Sequence, residues 1–241
     1  MKFIIPSFKR SEKLQKKTLT YLKSQNVNNE DVYIFIRVDD PELTDYLKLK
    51  QDGYNVVVAI DCVGIGNTHN YITDFFKEDD FIVEIDDDMT NLVDKTGEQV
   101  SFLKCCETMK NKMIDVGASY GGTYQVNNKM FMSQCEQFTY DLRYMLGCLR
   151  FIKKDITLET NYAEDFENCI QYFIRDGVIV KNNHIAPITS NYSKGGCDGD
   201  GRNNETEKID KEFLANKYPN HCKLFQRKNE RWDLRLKFKT K

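Results

Sequence analysis

The sequence predicts an α/β protein built on a doubly wound, largely parallel sheet. Within the first ninety residues, short apolar runs lie at 2–5, 32–38, 55–60 and 81–85. Helical patterns at 11–24 and about 67–77 separate the first run from the second and the third from the fourth. Strands that alternate with helices are typical of βαβ units, in which crossover helices join parallel strands.

The helix boundaries in the first half follow from capping signals. The pattern at 11–24 places Ser11 at the N-cap of its helix. The helix at about 67–77 is entered through the turn Gly64-Ile65-Gly66-Asn67. A third helix is predicted at roughly 100–116, and it stops before Gly117.

The second half of the chain is more irregular. Residues 117–152 are rich in glycine, aromatic and polar residues, which predicts irregular strands and a substrate-facing loop. A convincing helix covers 162–176, with Asn161 as its cap and Gly177 just after its end. The segment 193–204 holds four glycines and almost no apolar side chains, so we expect a loop.

Length and composition indicate one globular domain over residues 1–241. No apolar stretch approaches the roughly 20 residues that span a bilayer, so no membrane association is predicted. The run at 2–5 is too short for a signal peptide and reads as a first strand. Eight cysteines without a C-x-x-C pair predict reduced thiols, no structural zinc site and a cytoplasmic location.

The net charge of −2 conceals a basic C-terminal segment. Residues 223–241 contain eight basic and two acidic side chains, a local charge of +6 that leaves −8 for the remainder. A basic segment that also holds Trp232, Phe225 and Phe238 could lie along a nucleic-acid backbone. The alternative is a solvated terminal strand.

The stretch Phe81-Ile82-Val83-Glu84-Ile85-Asp86-Asp87-Asp88 is the most informative in the chain. A strand-like apolar run delivers three consecutive carboxylates to its C-terminal end, the end at which ligands bind in α/β sheets. Three adjacent like charges repel one another unless a cation neutralises them, and a divalent cation suits oxygen ligands. The alternative is an acidic, solvated turn.

Five segments in order along the chain resemble the GT-A glycosyltransferases, which transfer sugars from nucleotide-sugar donors. They are Ile4-Ile5-Pro6-Ser7-Phe8-Lys9-Arg10, Val38-Asp39-Asp40, Gly64-Ile65-Gly66-Asn67-Thr68-His69-Asn70, Asp86-Asp87-Asp88 and Ala163-Glu164-Asp165. The resemblance implies a Rossmann-like mixed sheet flanked by helices. It also implies a nucleotide-binding half at about 1–90, an acceptor-side half at about 91–222, and the basic segment 223–241 beyond them.

The resemblance also implies roles for the acidic residues. Asp86 would contact the ribose and a metal-bound water, and Asp88 would bind Mn²⁺ or Mg²⁺ directly, with Asp87 as the alternative ligand. His184 is a conceivable third ligand, and its alternative is an ordinary hydrogen-bonded histidine. At the later acidic motif, Asp165 would be the catalytic base.

Glu164 could exchange roles with Asp165. The structural alternative makes both of them first-turn acids that favour the helix dipole.

The nucleotide-sugar is expected to contact residues from several of these segments. They are Pro6, Ser7, Arg10, Asp39, Gly64, Asn67, His69, Asn70, Asp86, Asp87, Lys194, Gly195, Gly196 and Arg202. The last four belong to the glycine-rich loop, whose backbone can approach a diphosphate and whose cations can neutralise it. Alternatives stay open: Asn67 could simply cap its helix, Arg10 could be solvated, and the loop could lack a function.

The N-terminal segment and the Lys/Thr/Leu-rich helix after it are similar to DNA-modifying glycosyltransferases. These are the phage TET-associated family and the base J-type glucosyltransferases. This narrower resemblance implies hexosyl or pentosyl transfer from a UDP-sugar to a 5-hydroxymethylpyrimidine in DNA, such as 5-hydroxymethylcytosine, in the host cytoplasm if the protein is viral. The alternatives are a GT-A enzyme with a protein, lipid or glycan acceptor, and a catalytically inactive DNA-binding relative.

Overall fold

A computed structural model describes residues 1–76, 81–153, 156–189, 196 and 201–238. The strands are β1 (Lys2–Ser7), β2 (Val32–Arg37), β3 (Asn55–Ala59), β4 (Ile82–Ile85), β5 (Asn91–Asp94), β6 (Tyr120–Thr123), β7 (Phe138–Thr139), β8 (Leu149–Ile152), β9 (Val180–Asn182), β10 (Ile185–Ile188), β11 (Cys222–Gln226) and β12 (Trp232–Leu236). The helices are α1 (Ser11–Leu14), α2 (Thr20–Ser24), α3 (Leu43–Lys48), α4 (Ile65–Phe75), α5 (Phe102–Val116), α6 (Lys129–Ser133), α7 (Glu164–Asp176) and α8 (Asn204–Lys217).

The main sheet has eight strands in the order β3-β2-β1-β4-β8-β6-β9-β7. The four strands predicted from the first ninety residues form its parallel half, which confirms that part of the prediction. Beyond β4 the sheet is mixed, because β8 runs antiparallel to both of its neighbours, β4 and β6. The implied mixed sheet flanked by helices is therefore confirmed, and the register of β8 sets Arg150 opposite Glu84.

Both faces of the sheet are covered by helices, because successive residues of the central strands point to opposite sides. Ile5 of β1 belongs to a core shared with Leu14, Phe102 and Met109, on the side of α1 and α5. The adjacent Ile4 belongs to the opposite core. That core takes in Ile72 of α4, Ile170 and Tyr172 of α7, Leu214 of α8, and Leu234 and Leu236 of β12.

The predicted helix at 11–24 is continuous but locally underwound. A π-helical stretch, Gln15–Leu19, joins α1 to α2. Its N-cap is Arg10 and not Ser11, which is the first helical residue and is buried. The helices predicted at 67–77 and 100–116 are present as α4 and α5.

The helix predicted at 162–176 begins two residues later than expected. Its N-cap is Ala163, so Asn161 lies outside it, and Gly177 ends it with a φ of 72° as predicted. The side-chain oxygen of Asn161 is engaged elsewhere, because it accepts a hydrogen bond from the N–H of Asn67 at 3.1 Å. The acidic pair Glu164 and Asp165 therefore stands at the very start of α7.

Two small antiparallel sheets complete the fold. In one, β10 pairs with β5; in the other, β11 pairs with β12 to form a C-terminal hairpin that packs on α8. The described part of segment 223–241 is thus mainly this hairpin. No helix among the described residues is long and apolar enough to cross a membrane. The seven cysteines in the described part of the chain are free thiols.

Close packing at the start of α4 generates the first prediction. A methyl group on Gly66 would lie 1.9 Å from the carbonyl oxygen of Thr160, so the Gly66→Ala variant must push two backbone segments apart. We expect a loss of about 3 kcal/mol in the free energy of unfolding, measured by urea denaturation.

The matched control is Gly117→Ala, which has open space but a φ of 72°. We expect it to cost only about 1–2 kcal/mol, from backbone strain alone. Equal losses in the two variants would contradict the packing argument.

Candidate active site

The aspartate triplet lies at the carboxyl edge of the parallel strands. Asp86 directly follows β4, and its N–H donates to the carbonyl oxygen of Cys148 at 3.1 Å. From the other side, the Thr18 hydroxyl donates to the Asp86 carbonyl oxygen at 2.7 Å. The turn is thus held between the first helix and the loop before β8. This is the edge of an open α/β sheet at which ligands bind.

Asp87 is buried, and both of its carboxylate oxygens contact other side chains of the protein. Its Oδ2 accepts a hydrogen bond from Ser7 Oγ at 2.7 Å, and its Oδ1 lies 3.0 Å from Arg10 Nη1. Burial raises the pKa of Asp87, while Arg10 and Ser7 act in the opposite direction. Because both carboxylate oxygens already have partners, Asp87 is a poor choice of metal ligand, and Asp86 and Asp88 form the D-x-D pair.

Asp86 and Asp88 suit a divalent cation. Burial, together with the charges of Asp87 and Asp88, raises the pKa of Asp86 to about 7. Lys13 Nζ lies 3.4 Å from Asp88 Oδ2. In the part of the chain that the structure describes, no three His, Cys, Asp or Glu side chains form a cluster that could hold a metal ion. Two carboxylates nevertheless fit Mg²⁺ or a similar ion, which usually takes further ligands from water and phosphate oxygens.

A cavity of about 90 Å³ opens beside the triplet, and we call it the aspartate cavity. It is lined by Pro6, Ser7, Phe8, Arg10, Phe35, Arg37, Ile65, Thr68, Asp86, Asp87 and Gly196. Six of the residues predicted to contact a nucleotide-sugar are therefore brought together here: Pro6, Ser7, Arg10, Asp86, Asp87 and Gly196.

Asp39 and Gly196, both predicted to contact the nucleotide-sugar, lie next to the two arginines that line this cavity. Asp39 accepts hydrogen bonds from Arg37 at 2.9 and 2.5 Å, and these bonds lower the pKa of Asp39. Arg37 also lies 4.4 Å from the centre of the Phe8 ring. Gly196 donates its N–H to the Phe8 carbonyl, and a Cβ on Gly196 would lie 2.7 Å from Arg10 Cζ.

The glycine-containing turn into α4 borders the cavity through Ile65 and Thr68, whereas Gly64 and Asn67 do not line it. Gly64 is the N-cap with a φ of 90°, and a Cβ there would lie 2.4 Å from Asn161 Oδ1. Asn67 donates its side-chain amide to the Val63 carbonyl at 2.7 Å. Contacts of Gly64 and Asn67 with a nucleotide-sugar therefore stay predictions, and the N-cap of α4 is Gly64 rather than Asn67.

Asn70 and His69 also point into the protein. The Asn70 side chain exchanges two hydrogen bonds with the backbone of Leu158, at 2.8 and 2.9 Å. His69 is buried, with Nδ1 2.8 Å from Glu84 Oε1. Burial and the nearby charge of Arg150 lower the pKa of His69. The predicted sugar or phosphate contacts of these two residues are corrected accordingly.

His184 is not brought to the aspartate triplet. It lies in the turn between β9 and β10, at the end of β10 that pairs with Asp94, whereas the other end of β10 reaches Thr90. Its Nε2 is 2.9 Å from the carbonyl oxygen of Cys135. This placement corrects the prediction that His184 is a metal ligand and agrees with the alternative of a hydrogen-bonded histidine.

The glycine-rich loop is only partly described. Lys194 and Gly195, predicted to contact a diphosphate, lie outside the described residues. Arg202 does not line the aspartate cavity: its Nε donates to Glu207 Oε1 at 2.7 Å, at the start of α8. The structure thus separates Arg202 from Gly196 and places it beside a second cavity.

The acidic pair at the start of α7 has the features of an acid–base site. Tyr144 donates its hydroxyl to Asp165 Oδ2 at 3.3 Å, and Arg150 Nη1 lies 3.6 Å from Asp165 Oδ1. Burial raises the pKa of Asp165, and Arg150 opposes that rise. Burial and the charge of Asp165 raise the pKa of Glu164 to about 8. Because Arg150 and Tyr144 both contact its carboxylate, Asp165 is the stronger candidate for the base.

Sequence reasoning missed the residues that support Asp165. Arg150 is buried, and its Nη2 donates to Glu84 Oε1 at 2.7 Å while it also contacts His69. The sequence did contain one indication of a buried ion pair. Glu84 interrupts an apolar run, and a carboxylate that is buried with its strand requires a positively charged partner. Its partner, 66 positions away, could not be identified from the sequence.

Two consecutive residues, Gly147 and Cys148, contact the two acidic sites. The Asp86 N–H donates to the carbonyl oxygen of Cys148, and a Cβ on the preceding Gly147 would lie 2.7 Å from Asp165 Oδ1. The negative charge of Asp165 also contributes to the raised pKa of Asp86. The D-x-D pair and the candidate base are thus neighbours, although 79 sequence positions separate Asp86 from Asp165.

A second, larger cavity of about 470 Å³ borders Glu164 and Asp165, and we call it the C-terminal cavity. Its lining is Tyr144, Leu146, Tyr162, Ala163, Glu164, Asp165, Phe166, Arg202, Glu207, Lys211, Phe225, Arg227, Arg231, Trp232, Asp233, Leu234, Arg235, Leu236 and Phe238. The candidate base therefore faces a space whose far side is made by α8 and the C-terminal hairpin.

Comparison with known proteins gives matches among solved structures only. No protein-family model and no curated protein sequence matches the chain significantly. TarS 1-349 of S. aureus, in complex with UDP-GlcNAc, aligns at 13% identity with a TM-score of 0.58, over 90% of this chain and 67% of that one.

Two other nucleotide-sugar enzymes align equally well. The mannosyltransferase PcManGT of Pyrobaculum calidifontis, with GDP-Man and Mn²⁺, gives a TM-score of 0.58 at 10% identity, over 82% of this chain and 58% of that one. Glucosyl-3-phosphoglycerate synthase of Mycobacterium tuberculosis, with Mn²⁺ and UDP, gives a TM-score of 0.58 at 10% identity. The alignment covers 98% of this chain and 86% of that one.

The fold is GT-A. These identities establish the fold and do not by themselves assign an activity. The chain also spans less than two thirds of the length of the mannosyltransferase.

The raised pKa of Glu164 generates the second prediction. In the folded protein Glu164 keeps its proton up to about pH 8, whereas in the unfolded chain it loses the proton near its ordinary value of 4.5. Folding therefore becomes less favourable as pH rises between these limits. We expect Glu164→Gln to be more stable than the parent by up to about 4 kcal/mol at pH 8 and nearly equal to it near pH 4.5, by urea denaturation.

Glu12→Gln is the control with the opposite sign. Lys16 lowers the pKa of the exposed Glu12, so the loss of Glu12 should destabilise slightly at neutral pH and have no effect in acid. A Glu164→Gln difference that does not change with pH would rule out the assigned pKa.

Proposed function

We propose that this protein is a metal-dependent glycosyltransferase that moves a sugar from a UDP-sugar to the hydroxymethyl group of a 5-hydroxymethylpyrimidine in DNA. The observation that carries the proposal is that two consecutive residues, Gly147 and Cys148, contact the two acidic sites. One site suits a cation that binds a diphosphate, and the other suits a base that faces an acceptor. The GT-A fold supports this reading.

On the donor side, Asp86 and Asp88 would hold Mn²⁺ or Mg²⁺, which stabilises negative charge on a departing diphosphate. Arg10 is fixed on Asp87 at the aspartate cavity, where it adds positive charge near the phosphates. Ser7, which lines that cavity, shares a hydrogen bond with Tyr46 at 2.8 Å. The complexes of TarS with UDP-GlcNAc and of the M. tuberculosis synthase with UDP favour a uridine nucleotide as donor.

The transfer step follows from the position of Asp165. The acceptor oxygen forms a bond to the anomeric carbon while the bond from that carbon to the β-phosphate oxygen breaks. UDP leaves with the electron pair of the broken bond, and the hydroxyl proton passes to the Asp165 carboxylate. Arg150 and Tyr144 hold that carboxylate in place and favour its ionised form before the step. A base on the acceptor side corresponds to inversion at the anomeric carbon.

DNA as the acceptor is supported by two features of this chain. The segment Ile4–Arg10 is similar to that of DNA-modifying glycosyltransferases. The basic C-terminal hairpin also lines the cavity that Asp165 faces, so positive charge lies next to the candidate base. An extruded base with its hydroxymethyl group directed at Asp165 would satisfy both the reaction and the charge.

A product analysis tests the proposal directly. The protein would be incubated with Mn²⁺, several UDP-sugars and DNA that contains 5-hydroxymethylcytosine or 5-hydroxymethyluracil, and the digested nucleosides weighed by mass spectrometry. A nucleoside heavier by one sugar is the expected result. UDP release without nucleoside modification would keep the transferase and remove DNA as its acceptor. With neither product from any donor, the proposed reaction fails.

The third prediction concerns the base. Asp165→Asn should lower kcat by about 10²–10⁴-fold with little change in the KM for the donor, because only proton transfer is lost. Glu164→Gln should lower kcat by less than about tenfold, since Glu164 already carries a proton at neutral pH. Steady-state rates of UDP release measure both. A larger loss in Glu164→Gln than in Asp165→Asn would exchange the two roles.

The fourth prediction concerns the cation. Asp88→Ala should weaken Mn²⁺ binding in the presence of UDP by at least about tenfold, since it removes one of two protein ligands. Mn²⁺ electron paramagnetic resonance measures this without any turnover. Asp45→Ala removes an exposed carboxylate from α3 and serves as the control. Unchanged binding in Asp88→Ala would exclude Asp88 as a ligand.

A further inference from the structure

The C-terminal cavity has an acidic side and a cationic side. Glu164 and Asp165 form the acidic side, and α8 with the C-terminal hairpin forms the cationic side. Five basic residues and two carboxylates of the cationic side line the cavity among the described residues, so this side carries excess positive charge. The transfer reaction proposed above uses Asp165 and a general excess of positive charge, but it assigns no role to the individual basic residues.

Buried carboxylates fix the arginines of this side. Glu207 accepts a hydrogen bond from Lys211 Nζ at 2.9 Å, and its Oε2 lies 3.5 Å from Arg231 Nη2. Arg202 also donates to Glu207. One buried carboxylate thus orients three cations, whose combined charge it only partly neutralises. Such cations are preorganised for a second anion.

On the C-terminal hairpin, a second buried carboxylate, Asp233, also contacts basic residues. Asp233 pairs with Arg227, and Lys211 Nζ lies 3.9 Å from it. Arg235 lies over the Phe225 ring, 5.0 Å from its centre, and no carboxylate of the described chain lies within ion-pair distance of it. Stacking holds the Arg235 guanidinium at the cavity without occupying its N–H donors.

We propose that this side of the C-terminal cavity is a phosphate subsite for the acceptor. Arg231 and Arg235 bind a phosphate ester of the acceptor while its hydroxyl group faces Asp165. A planar guanidinium matches phosphate oxygens through paired N–H bonds, and two exposed arginines can share one phosphate. Phe225, Trp232 and Phe238 add apolar faces on which the ring of a nucleotide can stack.

The inference rests on the proposed transfer only for the role of Asp165, so binding can be tested without turnover. Trp232 is the single tryptophan of the chain and lines the cavity, so its fluorescence reports occupancy. The full chain, without donor, is titrated with a single-stranded pentanucleotide that has a central 5-hydroxymethylcytosine. The matched probe has the same sequence on an uncharged methylphosphonate backbone. Glycerol 3-phosphate serves as a small phosphate ester.

We expect the charged pentanucleotide to change Trp232 fluorescence and the uncharged one to bind at least about tenfold more weakly. Arg231→Gln and Arg235→Gln should weaken binding of the charged probe by a similar factor. Lys228→Gln removes a positive charge from the turn of the same hairpin, outside the cavity lining, and should change binding less than about twofold. This control separates a local contact from the effect of net charge.

Equal binding of the charged and uncharged probes would overturn the phosphate subsite, and this comparison needs no variant to fold. An effect of Lys228→Gln as large as that of Arg235→Gln would overturn it too. Arginine-dependent binding of glycerol 3-phosphate without binding of the pentanucleotide would support the subsite and reject DNA as its source. Arginine-dependent binding without sugar transfer from any donor would keep the subsite and reject the proposed transferase.

Discussion

The arrangement of the site depends on the buried ion pair between Glu84 and Arg150. The antiparallel register of β8 against β4 sets the two residues opposite each other inside the sheet. Burial disfavours ionisation of Glu84, yet Arg150 and His69 hold its pKa at about 2. Removal of one partner from such a pair typically costs about 3–5 kcal/mol, because the other charge stays buried and unpaired. The same guanidinium reaches Asp165, so the core of the sheet positions the candidate base.

Crowded negative charge is the second constraint. Asp86, Asp87, Asp88 and Asp165 meet at one edge of the sheet, although they come from two separate segments. The protein supplies partial compensation: Arg10 pairs with Asp87, and Lys13 with Asp88. Burial, together with the charges of Asp87, Asp88 and Asp165, raises the pKa of Asp86 to about 7. A divalent cation at this position would relieve the repulsion, and the same charge would attract a diphosphate.

Three nucleotide-sugar enzymes share the fold of this chain at 10–13% identity. The parallel strands and the acidic turn after β4 depend on buried apolar contacts and local geometry. The cationic side of the C-terminal cavity depends on ion pairs of α8 with the C-terminal hairpin. A fold can host many acceptors, so the acceptor must be inferred from this second set of residues.

The sequence by itself determined the parallel strands, the main helices and the acidic turn, because these depend on short-range periodicity, caps and composition. It also indicated Ser7, Arg10 and Asp86, which line one cavity in the structure. Tertiary structure alone decided that His69 and Asn70 face inward, that His184 lies away from the triplet, and that Arg150 supports Asp165. Those facts depend on contacts between residues far apart in the chain. Side-chain direction and pairing at such distances are set by strand register and packing, and neither can be inferred from local pattern.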